Sequence, residues 1–577
     1  MHAIVRRWMI RSLFPAALVF MVTEHALTQS EQVLAPIQKM AAQNQIANLV
    51  RAEYVDSLDM NVLWDGAIQG MIDKLDPHSS YMPPATYDDF SEKIRGNFQG
   101  IGITFAVLQD TITVIDVIPD GPSMKAGLLP RDRIISVDDK SAIEVESEQV
   151  KELLRGPSGS KVEVGVLRPG VAGPLPFPIT RERVEMNSVS RSYMLDETTG
   201  YIAVSSFTLV THLDVKNALA ILKMQNMKQL VLDLRGNSGG SLEAAINVVD
   251  SFIKEGVIVS TQGRDENDRQ MWRASGRASF SDLPMIVLVN HGSASASEIV
   301  AGALQDHDRA LVVGQTSFGK GLVMNPYSLR QADTNLGTLM LTIARYYTPS
   351  GRLIQRPYDG TREEYLEEGL DEYDPNASDL DHSELPVFQT DLGRSVYGGG
   401  GITPDKTILP GRKLNDFERE LRTSNLVFQF ADAFLLRRHD IPRRFEQFLT
   451  DFHLSEDEFQ RFHQYMLDND VVSGESVPLK EAIGKLFQEY EIAGPPSEAI
   501  ESAFIANGVP VNQTLFDQSR DFIEREVKME LARMIWGGEY RYRVFDSSDT
   551  ELVGAKSFLP EAANLLHQRL ALGDAHR

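Results

Sequence analysis

The chain has 577 residues, 42% hydrophobic and 8% aromatic, an ordinary globular composition long enough for three or four domains. Its 81 acidic residues against 57 basic ones leave a formal charge of −24, which argues against nonspecific nucleic-acid binding and reads as a solvated surface. The absence of cysteine excludes thiol nucleophiles, zinc–thiolate sites and disulfides, and scattered histidines without a His-Glu-x-x-His pattern give no basis for a metal or other cofactor.

At the N-terminus, Arg6, Arg7 and Arg11 precede the apolar run Leu13–Val22, and Ala26-Leu-Thr28 has the small residues of a cleavage site. Residues 1–28 therefore read as a secretory signal, with an uncleaved anchor as the alternative. Either reading exports the body of the protein to the periplasm or cell envelope. Over 29–86, apolar residues recur at helical spacing (Ile46, Leu49, Val50; Trp64, Ile68, Met71, Ile72). Two or three helices are predicted there, ending at Leu75-Asp-Pro-His-Ser79, with a boundary at Pro83-Pro84.

Residues 87–183 change to short β-runs at 102–105, 111–115, 133–137 and 162–166 with one helix at 147–155, the pattern of a small β-rich module. The stretch 184–411 alternates strands (200–206, 229–234, 257–261, 285–290, 310–313, 338–346) with helices (213–226, 241–254, 295–306), which predicts an α/β core with largely parallel strands. The acidic stretch Glu363–Asp381 reads as a solvated excursion. Amphipathic runs at Phe417–Arg438, Arg443–Phe452, Glu456–Leu467, Leu479–Tyr490, Gln518–Trp536 and Leu559–Leu570 make 412–577 a helical C-terminal domain, in which no motif points to chemistry.

Two motifs follow buried-looking strands, where open α/β sheets place their sites. Ser295 lies in Asn290-His-Gly-Ser-Ala-Ser-Ala-Ser-Glu298 after Pro284–Val289, and Lys320 lies in Thr316-Ser-Phe-Gly-Lys-Gly321 after Ala310–Val313. A serine hydroxyl needs a base to take its proton, and a neutral lysine can be that base. An ordinary lysine is neutral at pH 7 only about once in 2,500 molecules, so the role requires a dry pocket or nearby positive charge. A third motif, Leu232-Asp-Leu-Arg-Gly-Asn-Ser-Gly-Gly240, runs from a strand into a Gly-rich turn that can aim amides at a developing oxyanion. The competing nucleophiles are Ser293 and Ser297, and a Ser-His-Asp arrangement would use His291 or His307. Within the β-rich module, Gly100-Ile101-Gly102 can offer amides to a peptide's terminal carboxylate, and Arg155 can add a charge-assisted contact.

Together these motifs, with Tyr347-Thr-Pro-Ser-Gly-Arg352 and Gly401-Ile-Thr-Pro-Asp405, resemble the carboxyl-terminal processing peptidases, or tail-specific proteases, over roughly residues 30–410. The resemblance implies an exported serine endopeptidase with a crotonase-like α/β core carrying an inserted PDZ-like domain. It implies Ser295 as nucleophile, Lys320 as general base, and the amides of Gly240 and Ala296 as the oxyanion hole. Its substrates would be proteins with unstructured apolar C-termini held by the PDZ-like module, with an adaptor protein as a further partner. Two residues depart from the family pattern. Met324 stands where a lysine-orienting glutamine is usual, and a thioether cannot donate a hydrogen bond; Asn325 and Gln315 are the nearest substitutes. Arg131 replaces a glycine and is expected to alter a turn only. Met324 also favours the rival reading, a catalytically attenuated PDZ scaffold or adaptor that binds C-termini without cleaving them.

Overall fold

The computed structural model describes residues 37–358, 360–370, 385–409, 411–412, 414–438, 440–469 and 513–575. The expected signal segment at 1–28, the helix at Leu479–Tyr490 and the later part of the acidic stretch lie outside the described residues. The chain divides into two compact units, one of residues up to Met82 with Pro326–Leu341, the other of Pro83–Asn325 with Thr342 onward. The first contains helices α1 (37–53) and α2 (Met60–Ile72), the latter capped by Asp59, which accepts from Asn61 N–H. Asp76 then accepts from the amides of His78 and Ser79 and from the Ser79 hydroxyl, a turn that feeds β1 (Ser80–Met82). That strand pairs antiparallel with Thr338–Met340.

The second unit begins with α3 (Pro84–Arg95), which opens on a proline and stops at left-handed Gly96. The β-rich module follows: β2 (Asn97–Gly100), β3 (Ile103–Leu108), β4 (Thr111–Val117), α4 (Pro122–Ala126), β5 (Arg133–Val137), β6 (Lys140–Ser141), α5 (Ser147–Leu154), β7 (Lys161–Leu167), β8 (Leu175–Thr180) and β9 (Glu182–Glu185). Its antiparallel sheet runs β3-β4-β5-β7-β8, and β2 pairs with β9. Strand β8 was not predicted because Pro176 and Pro178 argue against a strand; it is tolerated at the end of the sheet, where a missing N–H costs nothing.

The α/β region contains β10 (Val189–Met194), β11 (Thr199–Val204), α6 (Thr211–Met224), β12 (Gln229–Asp233), α7 (Leu242–Val249), β13 (Val257–Gly263), β14 (Arg269–Arg273), β15 (Met285–Val289), α8 (Ala296–Asp306), β16 (Leu311–Gly314), β17 (Leu322–Gln331) and β18 (Thr334–Tyr347). Beyond them lie α9 (Arg362–Leu370), β19 (Val387–Gln389), β20 (Ser395–Tyr397) and β21 (Lys406–Thr407). The main sheet runs β10-β11-β12-β15-β16-β21, parallel from β11 to β21. Side chains alternate between its faces. Ile202, Leu230, Leu232, Val287 and Val312 pack on α6, α7 and α8, while Tyr201, Val231, Ile286, Leu288 and Val313 point the other way. The acidic stretch opens as helix α9, and Tyr365 in it is buried, so this part is anchored and not the solvated excursion expected.

The C-terminal region contains α10 (Asp416–Thr423), α11 (Leu426–Leu435), α12 (Phe445–Asp451), α13 (Glu456–Asp468), α14 (Gln513–Gln518), α15 (Arg520–Trp536), α16 (Gly538–Ser547), α17 (Thr550–Lys556) and α18 (Leu559–Ala575). The single helix expected over Phe417–Arg438 is broken, because Thr423 and Ser424 bond back to the carbonyls of Arg419, Glu420 and Leu421 and end α10. Helices α10 to α16 share a phenylalanine-rich core of their own. Helices α17 and α18 do something different: Leu552, Ala555, Leu559, Ala562 and Leu565 cover the second face of the main sheet.

Arg131 does more than alter a turn. Its φ of 77° is the strained left-handed region, yet its guanidinium reaches the Asp432 carboxylate and carbonyl on α11, with Arg133 3.8 Å from the same carboxylate. Arg131→Gly removes about 1 kcal/mol of backbone strain but loses hydrogen bonds to the buried Asp432 carboxylate worth about 1.5–3 kcal/mol. Urea unfolding is expected to rank wild type above Arg131→Gly and that variant above Arg131→Ala, which keeps the strain and loses the contact. A glycine variant more stable than wild type would show that the strain outweighs the pair.

Candidate active site

Ser295 is the residue immediately before α8 and adopts φ 55°, ψ −112°, a backbone state that only a strongly constrained non-glycine residue holds. The neighbouring serines are buried and already committed. Ser293 Oγ donates to the Leu234 carbonyl at 2.8 Å, and Ser297 Oγ donates to the Asn237 carbonyl at 2.8 Å. Ser295, by contrast, is half-buried.

The Lys320 loop is joined to Ser295 through Glu298, which is fully buried. Its Oε2 accepts from Ser295 N–H at 2.7 Å and from Lys320 N–H at 2.9 Å; its Oε1 accepts from Ser317 Oγ at 2.5 Å and Gly319 N–H at 2.7 Å. One oxygen thus holds both main chains, and they can be no further apart than those two bonds laid end to end. Burial pushes the Glu298 carboxyl above its ordinary pKa, and these hydrogen bonds pull against that rise. On another side the buried Tyr346 hydroxyl lies 2.5 Å from the Lys320 carbonyl and 3.1 Å from that of Ser295. Gly321 N–H donates to Gln355 Oε1 at 2.8 Å. None of Glu298, Tyr346 and Gln355 was assigned a role from sequence; only Glu298 carried a signal, as the acidic residue three places after a helix-capping serine.

The Gly-rich loop lies against Ser295. A Cβ on Gly239 would sit 2.7 Å from Ser295 Cβ and 2.9 Å from Ala296 N, so no larger residue fits. Gly240, at φ 141°, packs equally tightly on the Phe207 carbonyl. The loop is tied to the serine segment by Gly236 N–H to Asn290 Oδ1 (2.9 Å) and Ala294 N–H to the Asn237 carbonyl (3.0 Å). Ala296, first in α8, has an N–H with no carbonyl four residues back inside the helix. The structure therefore brings Ser295, the Lys320 backbone, Ala296 and Gly239-Gly240 together.

Other candidates are placed differently. His307 closes the far end of α8, about 18 Å from Ser295 at 1.5 Å per residue. It caps that helix end and is buried, bonded to Asp391 Oδ2 (2.8 Å) and the Val257 carbonyl (2.7 Å). Burial opposes its protonation, but Asp391 and that carbonyl outweigh it and raise its pKa. Gln315 directs its amide to Glu551 at 3.3 Å. Met324 is half-buried in β17. In the β-rich module, Gly100 ends β2 beside the Leu154 carbonyl and the Phe98 ring, Ile101 is buried, and Gly102 turns into β3 at φ 77°. Arg155 lies next to them over Phe98, with its guanidinium 2.8 Å from Asp89 and 3.1 Å from Glu92 on α3.

Three family models match the chain: peptidase family S41 over residues 198–363, a PDZ domain over 113–168, and the activating protease CtpB N-terminal domain over 15–86. A carboxy-terminal-processing protease of Bartonella bacilliformis is 38% identical over 350 residues, 60% of this chain and 79% of that protein. The carboxy-terminal processing protease CtpB of Bacillus subtilis is 31% identical over 391 residues, 66% of this chain and 78% of that protein. Among solved structures, a photosystem II D1 C-terminal processing protease is 25% identical, covering 63% of this chain and 85% of that one with a TM-score of 0.32. The chain belongs to the carboxy-terminal processing proteases, serine peptidases of family S41 that carry a PDZ domain.

Proposed function

We propose that Ser295 is the nucleophile and Lys320 the general base of this peptidase. The observation that carries the assignment is the shared carboxylate oxygen of Glu298, which fixes the main chains of both residues. In the proposed reaction the neutral Lys320 amine takes the Ser295 Oγ proton as Oγ attacks the scissile carbonyl carbon. The negative charge on the carbonyl oxygen is met by the amides of Gly240 and Ala296, an arrangement in which one donor is worth about 10²–10³ in kcat. Collapse breaks the C–N bond, and the leaving amine takes the proton from Lys320. A water then gives a proton to Lys320 as it attacks the ester carbonyl, and Lys320 passes that proton to the departing Ser295 Oγ, releasing the acid and regenerating both residues.

The core in which this happens is read as crotonase-like, with the PDZ domain at 87–183, the peptidase core at 184–411 and a helical region at 412–577. Gly100, Ile101 and Gly102 would take the tail of a protein substrate with an unstructured apolar C-terminus. Arg155 would meet its carboxylate on leaving Asp89 and Glu92. Export rests on the basic-then-apolar N-terminal segment; among the described residues no helix is long and apolar enough to cross a membrane.

Cleavage of an unstructured protein with an apolar tail, followed by intact mass, is expected to vanish in Ser295→Ala and Lys320→Ala while tail binding persists. Cleavage surviving in either variant would remove that residue from the chemistry. Met324→Gln, which supplies an amide oxygen able to accept from the lysine, is expected to raise kcat several-fold; an unchanged kcat would mean that Lys320 is already oriented by other contacts. Glu298→Gln turns one acceptor oxygen into a donor facing donors, and should lower kcat at least ~10-fold and stability by about 2–3 kcal/mol. Steady-state kinetics and urea midpoints on the same preparation check both effects.

A further inference from the structure

Helix α17 bears on the Gly-rich loop. Arg235, second residue of the segment Leu234–Gly240, is 13% exposed at its side chain and directs its guanidinium at three carboxylates. Asp233 lies 2.6 Å away at the end of β12, itself held by the Tyr201 hydroxyl at 2.8 Å. The other two come from the C-terminal region: Asp549 Oδ2 at 2.7 Å from Nη2, and Glu551 Oε2 at 2.7 Å from Nη1. Both acids are fixed by their own surroundings. Asp549 caps α17 by accepting from the amides of Glu551 and Leu552, and Leu552 and Ala555 are buried on the second face of the main sheet. Glu551 also accepts from Gln315 Nε2 at 3.3 Å, in the segment that leads from β16 to Lys320. One short helix therefore touches the approaches to both the Gly-rich loop and the lysine loop.

A planar guanidinium in several charge-assisted bonds is fixed in orientation as well as position. Its backbone is pinned on either side, by Leu234 N–H to the Leu288 carbonyl (2.9 Å) and Gly236 N–H to Asn290 Oδ1 (2.9 Å). Buried ion pairs add little net stability compared with apolar packing, so orientation is what this cluster supplies best. The family-model matches end at residue 363, well before α17.

We propose that Asp549 and Glu551 are positioning residues which, through Arg235, hold the Leu234–Gly240 loop so that the Gly240 amide faces the developing oxyanion. The proposal rests on the assignment of Ser295 and Gly240 to the active site. The C-terminal helices thereby become part of the peptidase machinery without touching substrate.

The test uses the full chain carrying Asp549→Asn with Glu551→Gln, and separately Arg235→Lys, which keeps the charge and loses the fork. Against an unstructured protein with an apolar tail, kcat is expected to fall ~10–100-fold with KM within about threefold. Affinity for a peptide boronate, whose tetrahedral adduct fills the oxyanion site, should fall in parallel, while affinity for the uncleaved tail peptide stays unchanged. Asp549→Glu, which preserves the carboxylate, should recover most of the kcat lost in Asp549→Asn. Wild-type kcat in a folded double variant, or a rise in KM alone, would overturn the proposal. If the double variant does not fold, Arg235→Lys and Glu551→Gln alone give the same readings. Full cleavage by Ser295→Ala in that assay would instead overturn the underlying site assignment, an outcome separable from any effect of Asp549 or Glu551.

Discussion

The site depends on a carboxylate that does no proposed chemistry. Glu298 is wholly buried, and it is tolerable there only because its oxygens are saturated by donors from Ser295, Ser317, Gly319 and Lys320. The cost of desolvating the carboxylate is offset in part by charge-assisted hydrogen bonds, and those bonds are the ones that join two loops. The strained φ of Ser295 persists for the same reason, because α8 on one side and Glu298 on the other leave the residue no alternative.

Around this clamp the surroundings are arranged in layers. Tyr346 braces the carbonyl side of the same two loops, Gln355 holds Gly321, and the glycines at 239 and 240 let the third loop come close enough to matter. Ser293 and Ser297, which look like rival nucleophiles in sequence, are the stitches between the serine segment and that loop. The triple serine pattern thus holds one candidate nucleophile, Ser295, between two serines committed to carbonyls.

The strands and helices that carry the site were legible because buried parallel strands read as uninterrupted apolar runs and α8 follows a clear cap signal. Ser295, Lys320 and the Gly-rich turn stood out as candidates because the chemistry proposed for them is specific to residue type. Contacts between distant segments were not. Nothing local marks Tyr346 or Gln355 as partners of a lysine loop, and Arg131 looks like a mere turn substitution until Asp432 is seen across 301 positions of sequence. Helices α16 and α17 escaped notice because Gly537-Gly538 and Ser547-Ser-Asp549 interrupt the apolar period, although Asp549 is itself a regular capping residue.

The second face of the main sheet is covered by α17 and α18, which lie on strands more than two hundred residues earlier in the sequence. Arg191 meets Asp546 across 355 positions and Arg235 meets Glu551 across 316. Contacts of such separation carry a large loop-closure entropy, which non-local pairing must overcome before it stabilises the fold. A nascent or truncated chain would hold Ser295 and Lys320 on a sheet with one bare side. The sheet that carries both loops therefore completes its apolar packing only when residues 550–575 have docked on it.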